Sequence, residues 1–266
     1  MRPNAQKSVH FLVNRPNLII TPVQVFTGIM DQGLIIDWTQ MTTYNTIMAV
    51  AAGAGLLSLV LFARRLMAGG DIEFRGYAVN FGVLGLILTI TGAHMTLTWP
   101  FATYFPFDNI IFGEPSLAFG VLLLAASFVL WRRAAVLEES EDAARAVARI
   151  AAPLGVLIFG LGLALVGIAA AGVVFQLFVA PPEEPISGYF SQWPWVEITF
   201  MSGLFALVGL GALLFPFATH TFVVRSTPTK VQWVTGVSLA LGGIAFLLFG
   251  ALNFFTHIGL IVNTMG

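Results

Sequence analysis

The sequence has no cysteine and few charges. Without cysteine there are no disulfides, thiolate metal sites, iron–sulfur clusters or cysteine nucleophiles, and the redox compartment stays open. Only 9% of the 266 residues are charged, against roughly a quarter in a soluble domain, so the chain lacks the polar surface to stay dissolved. Other absences narrow the chemistry. No HExxH, ExxH or HxxxH pair offers two metal ligands from one helix, no Gly-rich loop is followed by Lys-Ser/Thr, and no GxSxG elbow occurs. The first forty residues lack the pattern of a cleavable signal peptide. A net charge of −1 gives no reason to expect a nucleic-acid partner.

What is abundant is apolar sequence, 58% of the chain, gathered in runs of about twenty residues, the length of helix that crosses a ~30 Å hydrocarbon layer. Alternating barrel-strand patterning is missing, so the reading is all-α: a polytopic transmembrane bundle of six spans. The spans fall at about 43–63, 78–100, 114–131, 151–178, 196–217 and 233–257. Residues 42–266 make one transmembrane domain. Residues 1–41 read as a poorly structured leader or a mis-called start, with Pro3, Pro16 and Pro22 breaking any long helix and Met30 and Met41 as other start sites.

Every cation after Met41 lies in an odd-numbered connection. The first holds Arg64, Arg65 and Arg75, the third Arg132, Arg133, Arg145 and Arg149, the fifth Arg225 and Lys230; the second and fourth hold none. The positive-inside rule then places the odd connections in the cytoplasm and both termini outside, in a plasma membrane. Trp99, Phe101, Tyr104, Phe105 and Phe107 crowd the first outer connection, and Tyr189, Phe190, Trp193 and Trp195 the second, as expected of an aromatic belt at the headgroups. The third connection, with four acids and two late arginines, reads as a short charged helix.

Spans one, three and five resemble one another, opening on Asn45, Glu114 and Glu197; spans two, four and six share a looser Gly-rich pattern. A helical hairpin used three times would explain both. Recurrent glycines, such as Gly53 and Gly55, Gly160 and Gly162, and Gly242 and Gly243, would let helix backbones approach closely.

A charge at the centre of a membrane helix costs about 2.5–3.5 kcal/mol on insertion scales, so polar residues near span ends are the place to look for function. Glu114 and Glu197 open spans. His94 lies near the outer end of span two, Asn253 and His257 share a face of span six, and Gln176 ends span four. Together with Asn45 they point to one leaflet. Three readings follow. The cluster binds or transports a small solute or ion, since paired carboxylates can share a proton and histidine titrates near neutrality. Alternatively, His94, His257, Glu114 and Glu197 ligate a divalent metal in a membrane-embedded enzyme or redox subunit. A haem ligated by His94 and His257 would lie unusually shallow. In the third reading the polar groups cap helices and meet interfacial water, and the chain is a structural subunit. No cofactor is assigned; the partners expected are the lipid bilayer, a small solute or ion, and further copies of the chain or subunits of a complex.

The segments TTYNTIMAVAAGAG, TGAHMTLTWPF and NIIFGEPSLAFG, with an Arg pair closing spans one and three, resemble an uncharacterised membrane family of bacteria and archaea. The resemblance covers roughly residues 42–260. It implies a multi-pass membrane protein with no established activity, and carries over no catalytic residue.

Overall fold

The structure is a computed structural model, and it describes residues 34–41, 44–69, 71–224 and 228–265. Six helices in it are long and apolar enough to cross a membrane, and no strand occurs among the described residues. The main helices are α1 (Asn45–Ala68), α2 (Phe74–Thr98), α3 (Glu114–Glu138), the short α4 (Ala143–Ala151), α5 (Gly155–Phe175), α6 (Trp195–Val224) and α7 (Lys230–Thr264). The described cations cluster at one end of the bundle, here called the basic end; the opposite end carries the partly buried acids Asp108, Glu183, Glu184 and Glu197 and is called the acidic end.

Local chemistry sets the helix limits. The Glu73 carboxylate accepts the Gly76 amide at 3.3 Å and starts α2. Thr229 and Gln232 form a reciprocal capping box at the start of α7. Asp142 starts α4, accepting the Arg145 amide at 2.9 Å and pairing with its guanidinium at 3.3 Å. At the far end of α5, Gln176 turns left-handed (φ 53°) and stops the helix, short of the expected limit at 178. The third span departs further from expectation. Helical backbone begins at Pro106, after Phe105 reverses the chain at φ 47°, and passes through a wide turn at Asn109–Gly113 before α3. The sixth span likewise runs seven residues past 257, to Thr264.

Lipid is as apolar as leucine, so helices gain by packing closely rather than by leaving water. Three pairs do so through facing glycines. In α2/α3, a Cβ on Gly85 would stand 2.9 Å from the Gly120 carbonyl, and one on Gly120 2.9 Å from that of Gly85. In α5/α6, Gly162 and Gly209 meet in the same way at 3.0 and 3.2 Å, and in α1/α7, Gly53 and Gly243 at 2.6 and 3.1 Å. These are the most extensively packed pairs. They join spans 2 with 3, 4 with 5 and 6 with 1; the hairpin repeat read from the sequence named no such glycine pairs. Two of the pairs are consecutive spans and the third brings the first and last spans together, and all three share the close backbone approach at glycine. The main apolar core lies among α1, α2 and α3, where Met48, Phe62, Phe81, Leu88, Met95 and Leu123 are buried. Residues 34–41 dock on the acidic end: Ile36 is buried, its amide bonded to the Thr264 carbonyl at 3.1 Å, and the Trp38 indole donates to the Thr264 hydroxyl at 3.1 Å. Residues 1–33 lie outside the described residues.

Candidate functional site at the acidic end

Three segments bring carboxylates together at the acidic end. The first is the turn before α3. Pro106, with its fixed φ, suits a helix start, and the helical turn it opens carries Asp108, followed by the wide turn that includes buried Asn109. The second is the connection between α5 and α6. Its PPEEP run holds three prolines that prevent helix around Glu183 and Glu184. Pro185 presses on Gly259 of α7, where a Cβ would collide with its ring, and Ile186 (φ 67°, ψ −63°) makes a tight turn closed by the Ser187 amide to the Pro185 carbonyl at 2.8 Å. That turn geometry is rare and strained. The third segment is the first turn of α6, which carries Glu197; its carboxylate accepts the Ala180 amide at 2.7 Å.

Glu184 is the hub. Its Oε1 lies 3.4 Å from Nδ1 of His257, and Thr256 Oγ1 lies 3.2 Å from the same nitrogen. The Thr256 hydroxyl also hydrogen-bonds the Glu184 carboxylate. One proton assignment fits all three contacts: His257 carries hydrogen on Nδ1, and Thr256 donates to Glu184. Burial pushes the Glu184 carboxyl above its ordinary range, and the Thr256 hydrogen bond opposes this. The charge of Glu184 is felt by both Asp108 and Glu197. No lysine or arginine of the described chain pairs with any of the three carboxylates. Next to them, Glu183 accepts the Leu34 amide at 3.0 Å, and its backbone carbonyl accepts the Asn263 amide group at 2.7 Å, closing the rim.

Farther toward the basic end lies an aromatic layer, with Phe205 eight residues from Glu197 along α6 and Phe246 eleven from His257 along α7. Phe178 stacks on Phe205 at 5.8 Å, and Phe112 and Phe246 pack on the same ring at 6.0 and 5.9 Å. A cavity of about 730 Å³ opens around this layer, lined by Ile111, Phe112, Met201, Phe205 and Asn253 at this end. Asp108, Glu197 and His257 each stand about one helical turn beyond one of these residues, so they cap the cavity.

Of the residues singled out from the sequence, Glu197 and His257 belong to this cluster. Asn253 is buried and lines the cavity; Asn45 and Glu114 line it too. Asn45 keeps a buried side-chain oxygen with no partner, and Glu114 is exposed. His94 is exposed and meets Tyr44 edge-on at 5.5 Å, apart from the cluster's contacts. Gln176 serves as the stop of α5, and no hydrogen bond joins its side chain to the cluster among the described residues. The proposed metal set of His94, His257, Glu114 and Glu197 is thus not brought together: two members join the cluster and two lie elsewhere, and among the described residues no group of three or more His, Asp or Glu could hold a metal ion. Asp108 and Glu184 are missing from the sequence reading, which leaves both in loops. Their signal was present: each is an acid in a connection without cations, a few residues from a span.

No curated protein and no solved structure matches the chain. One family model matches residues 40–259, from just before α1 into the last turns of α7, and the chain belongs to that family, described as a protein of unknown function (DUF981).

Proposed function

We propose that the chain is a multi-pass membrane protein that binds a proton or small cation at the acidic end and couples it to movement of a small solute or ion. The observation that carries this reading is the hub at Glu184. Three carboxylates, Asp108, Glu184 and Glu197, share one partly buried site whose only basic partner in contact among the described residues is His257. Like charges in such a site cannot all ionise unaided, so the cluster takes up a proton or an external cation. The rings of Trp99, Phe101, Tyr189, Trp193 and Trp195 are exposed around this end, which suits a headgroup belt. With the cations gathered at the other end, the positive-inside rule puts the acidic end on the outer face of a plasma membrane.

The test uses proteoliposomes containing a pH-sensitive dye and an imposed membrane potential. Wild-type protein should admit protons, and Glu184→Gln combined with Glu197→Gln should abolish the flux. Equal flux from the double variant and wild type would overturn the proposal.

A further inference from the structure

The cavity under the cluster has a second polar end. Its walls come from α1, α3, α5, α6 and α7, with α4 residues Val147 and Ala148 at the basic end, and they are almost wholly apolar. Both α3 and α5 line it, yet among the described residues they make no extended contact with each other. Direct packing of α3 on α5 therefore does not seal this side of the cavity, leaving a slot between them.

The packing of α1 on α7 fixes the level of each end. Gly53 faces Gly243 and Leu247, and Gly250 faces Ala49 and Val50. Continuing that antiparallel register sets Asn45 level with Asn253, and Arg64 level with Thr235. All four line the cavity. At 1.5 Å per residue, Thr235 and Asn253 are about 27 Å apart along α7, close to the ~30 Å of a hydrocarbon layer. The cavity thus runs along most of the depth of the hydrocarbon layer, long enough to hold one extended acyl chain, with polar groups at both ends.

The basic end has the more telling chemistry. Thr235 is only 6% exposed, and its hydroxyl has no partner. Several helical threonines give that hydrogen to the preceding turn, such as Thr91 to the Ile87 carbonyl at 2.7 Å and Thr264 to Leu260 at 2.6 Å, whereas the hydroxyls of Thr89, Thr96 and Thr235 are left unpartnered, and of these three only Thr235 lines the cavity. A buried hydroxyl left unpaired is costly. Gln232, one turn away, is already committed, donating to the Ala218 carbonyl at 3.4 Å and accepting the Thr229 amide at 2.9 Å. Arg64 lines the cavity at the level of Thr235 and pairs with no carboxylate among the described residues. An unpaired hydroxyl and a guanidinium at one level suit an acceptor with negative charge, and a carboxylate can accept from both.

We propose that this cavity binds one long-chain carboxylate of the fatty-acid type, which enters through the slot between α3 and α5. Its chain lies along the apolar walls, and its carboxylate is held by Arg64 and Thr235. This site lies at the opposite end from the acidic cluster and does not depend on proton binding there.

The test uses the full chain in phosphatidylcholine nanodiscs and a saturated fatty acid carrying a mid-chain diazirine. Photolabelling should saturate, should be displaced by the unlabelled acid, and should fall on cavity residues such as Ala126 and Leu161. Arg64→Gln should weaken binding by about tenfold and Thr235→Val by about threefold, as expected for loss of a charge-assisted and a weaker hydrogen bond. Arg65→Gln, on the neighbouring arginine that does not line the cavity, should leave binding unchanged, and the amine of the same chain should bind more weakly than the acid. Ala126→Trp, which fills the cavity from α3, should remove the label while the helical circular dichroism is retained. Three results would overturn the proposal: labelling that does not saturate and spreads over lipid-facing Val156 and Leu163, affinity indifferent to Arg64→Gln and Thr235→Val, or a preference for the amine.

Discussion

Replacing Gly92 by alanine should loosen α2 from α3, whereas the same change at Gly160 should not. A Cβ at position 92 would stand 2.5 Å from the Leu117 amide nitrogen and 2.9 Å from the Gly113 carbonyl, both backbone atoms that no rotamer change can move. Ordinary contact begins near 3.4 Å, so the helices must part there by about 0.9 Å, a gap of the size that forfeits a quarter to a half of each dispersion well it opens. Overpacking of this kind costs about 1–3 kcal/mol, and a clash with backbone belongs at the upper end. Alanine's better helix propensity returns about 1 kcal/mol, leaving a net loss of about 2 kcal/mol. At Gly160 nothing lies within 4 Å of the added carbon, so only the propensity gain, up to about 1 kcal/mol, remains. The two variants should therefore differ by about 3 kcal/mol in reversible unfolding by dodecyl sulfate in mixed micelles, followed by tryptophan fluorescence. Equal stabilities, or a more stable Gly92→Ala, would refute the account of glycine-directed pairing.

Three further outcomes follow from local structure. Burial raises the Glu184 carboxyl, so the folded state favours its protonated form; that stabilisation is fullest below the ordinary carboxylate pKa and fades as pH rises through the raised value. Glu184→Gln should accordingly gain stability relative to wild type as pH rises from about 4 to 8, and parallel pH profiles would contradict this. Ile186 holds a strained positive φ while 49% exposed. Ile186→Gly should therefore stabilise the protein by about 1 kcal/mol, strain relief exceeding the added chain entropy, and a fall in midpoint would count against the strain argument. Thr229→Ala removes one half of the capping box of α7 and should cost about 1 kcal/mol, visible as faster hydrogen exchange at Val231 and Gln232; unchanged exchange there would show the cap to be idle.

The spans were legible because twenty apolar residues in a row admit little besides a membrane helix, and the grouping of cations was plain to read. Pairing was not. Periodicity shows that Gly53, Gly85 and Gly162 are small, but only coordinates show that their partners are Gly243, Gly120 and Gly209. The candidate site was half legible. Glu197 and His257 stood at span ends and join the cluster, but Asp108 lay six residues ahead of where hydropathy begins the third span, inside a helical extension that aromatic residues and a wide turn disguise. Glu184 sits in an irregular connection, and its burial arises from Pro185 seated on Gly259, a contact between segments more than seventy residues apart. His94 shows the converse: a histidine near a span end that turns outward to Tyr44.

Infrared spectroscopy of the protein in nanodiscs, titrated with pH, addresses the acidic cluster most directly. A carboxylic acid C=O band should persist well above pH ~4–5, the ordinary carboxylate range, and should shift or shrink in Glu184→Gln. Spectra in which every carboxyl group has ionised by the top of that range, in wild type and variant alike, would contradict a shared proton at Asp108, Glu184 and Glu197.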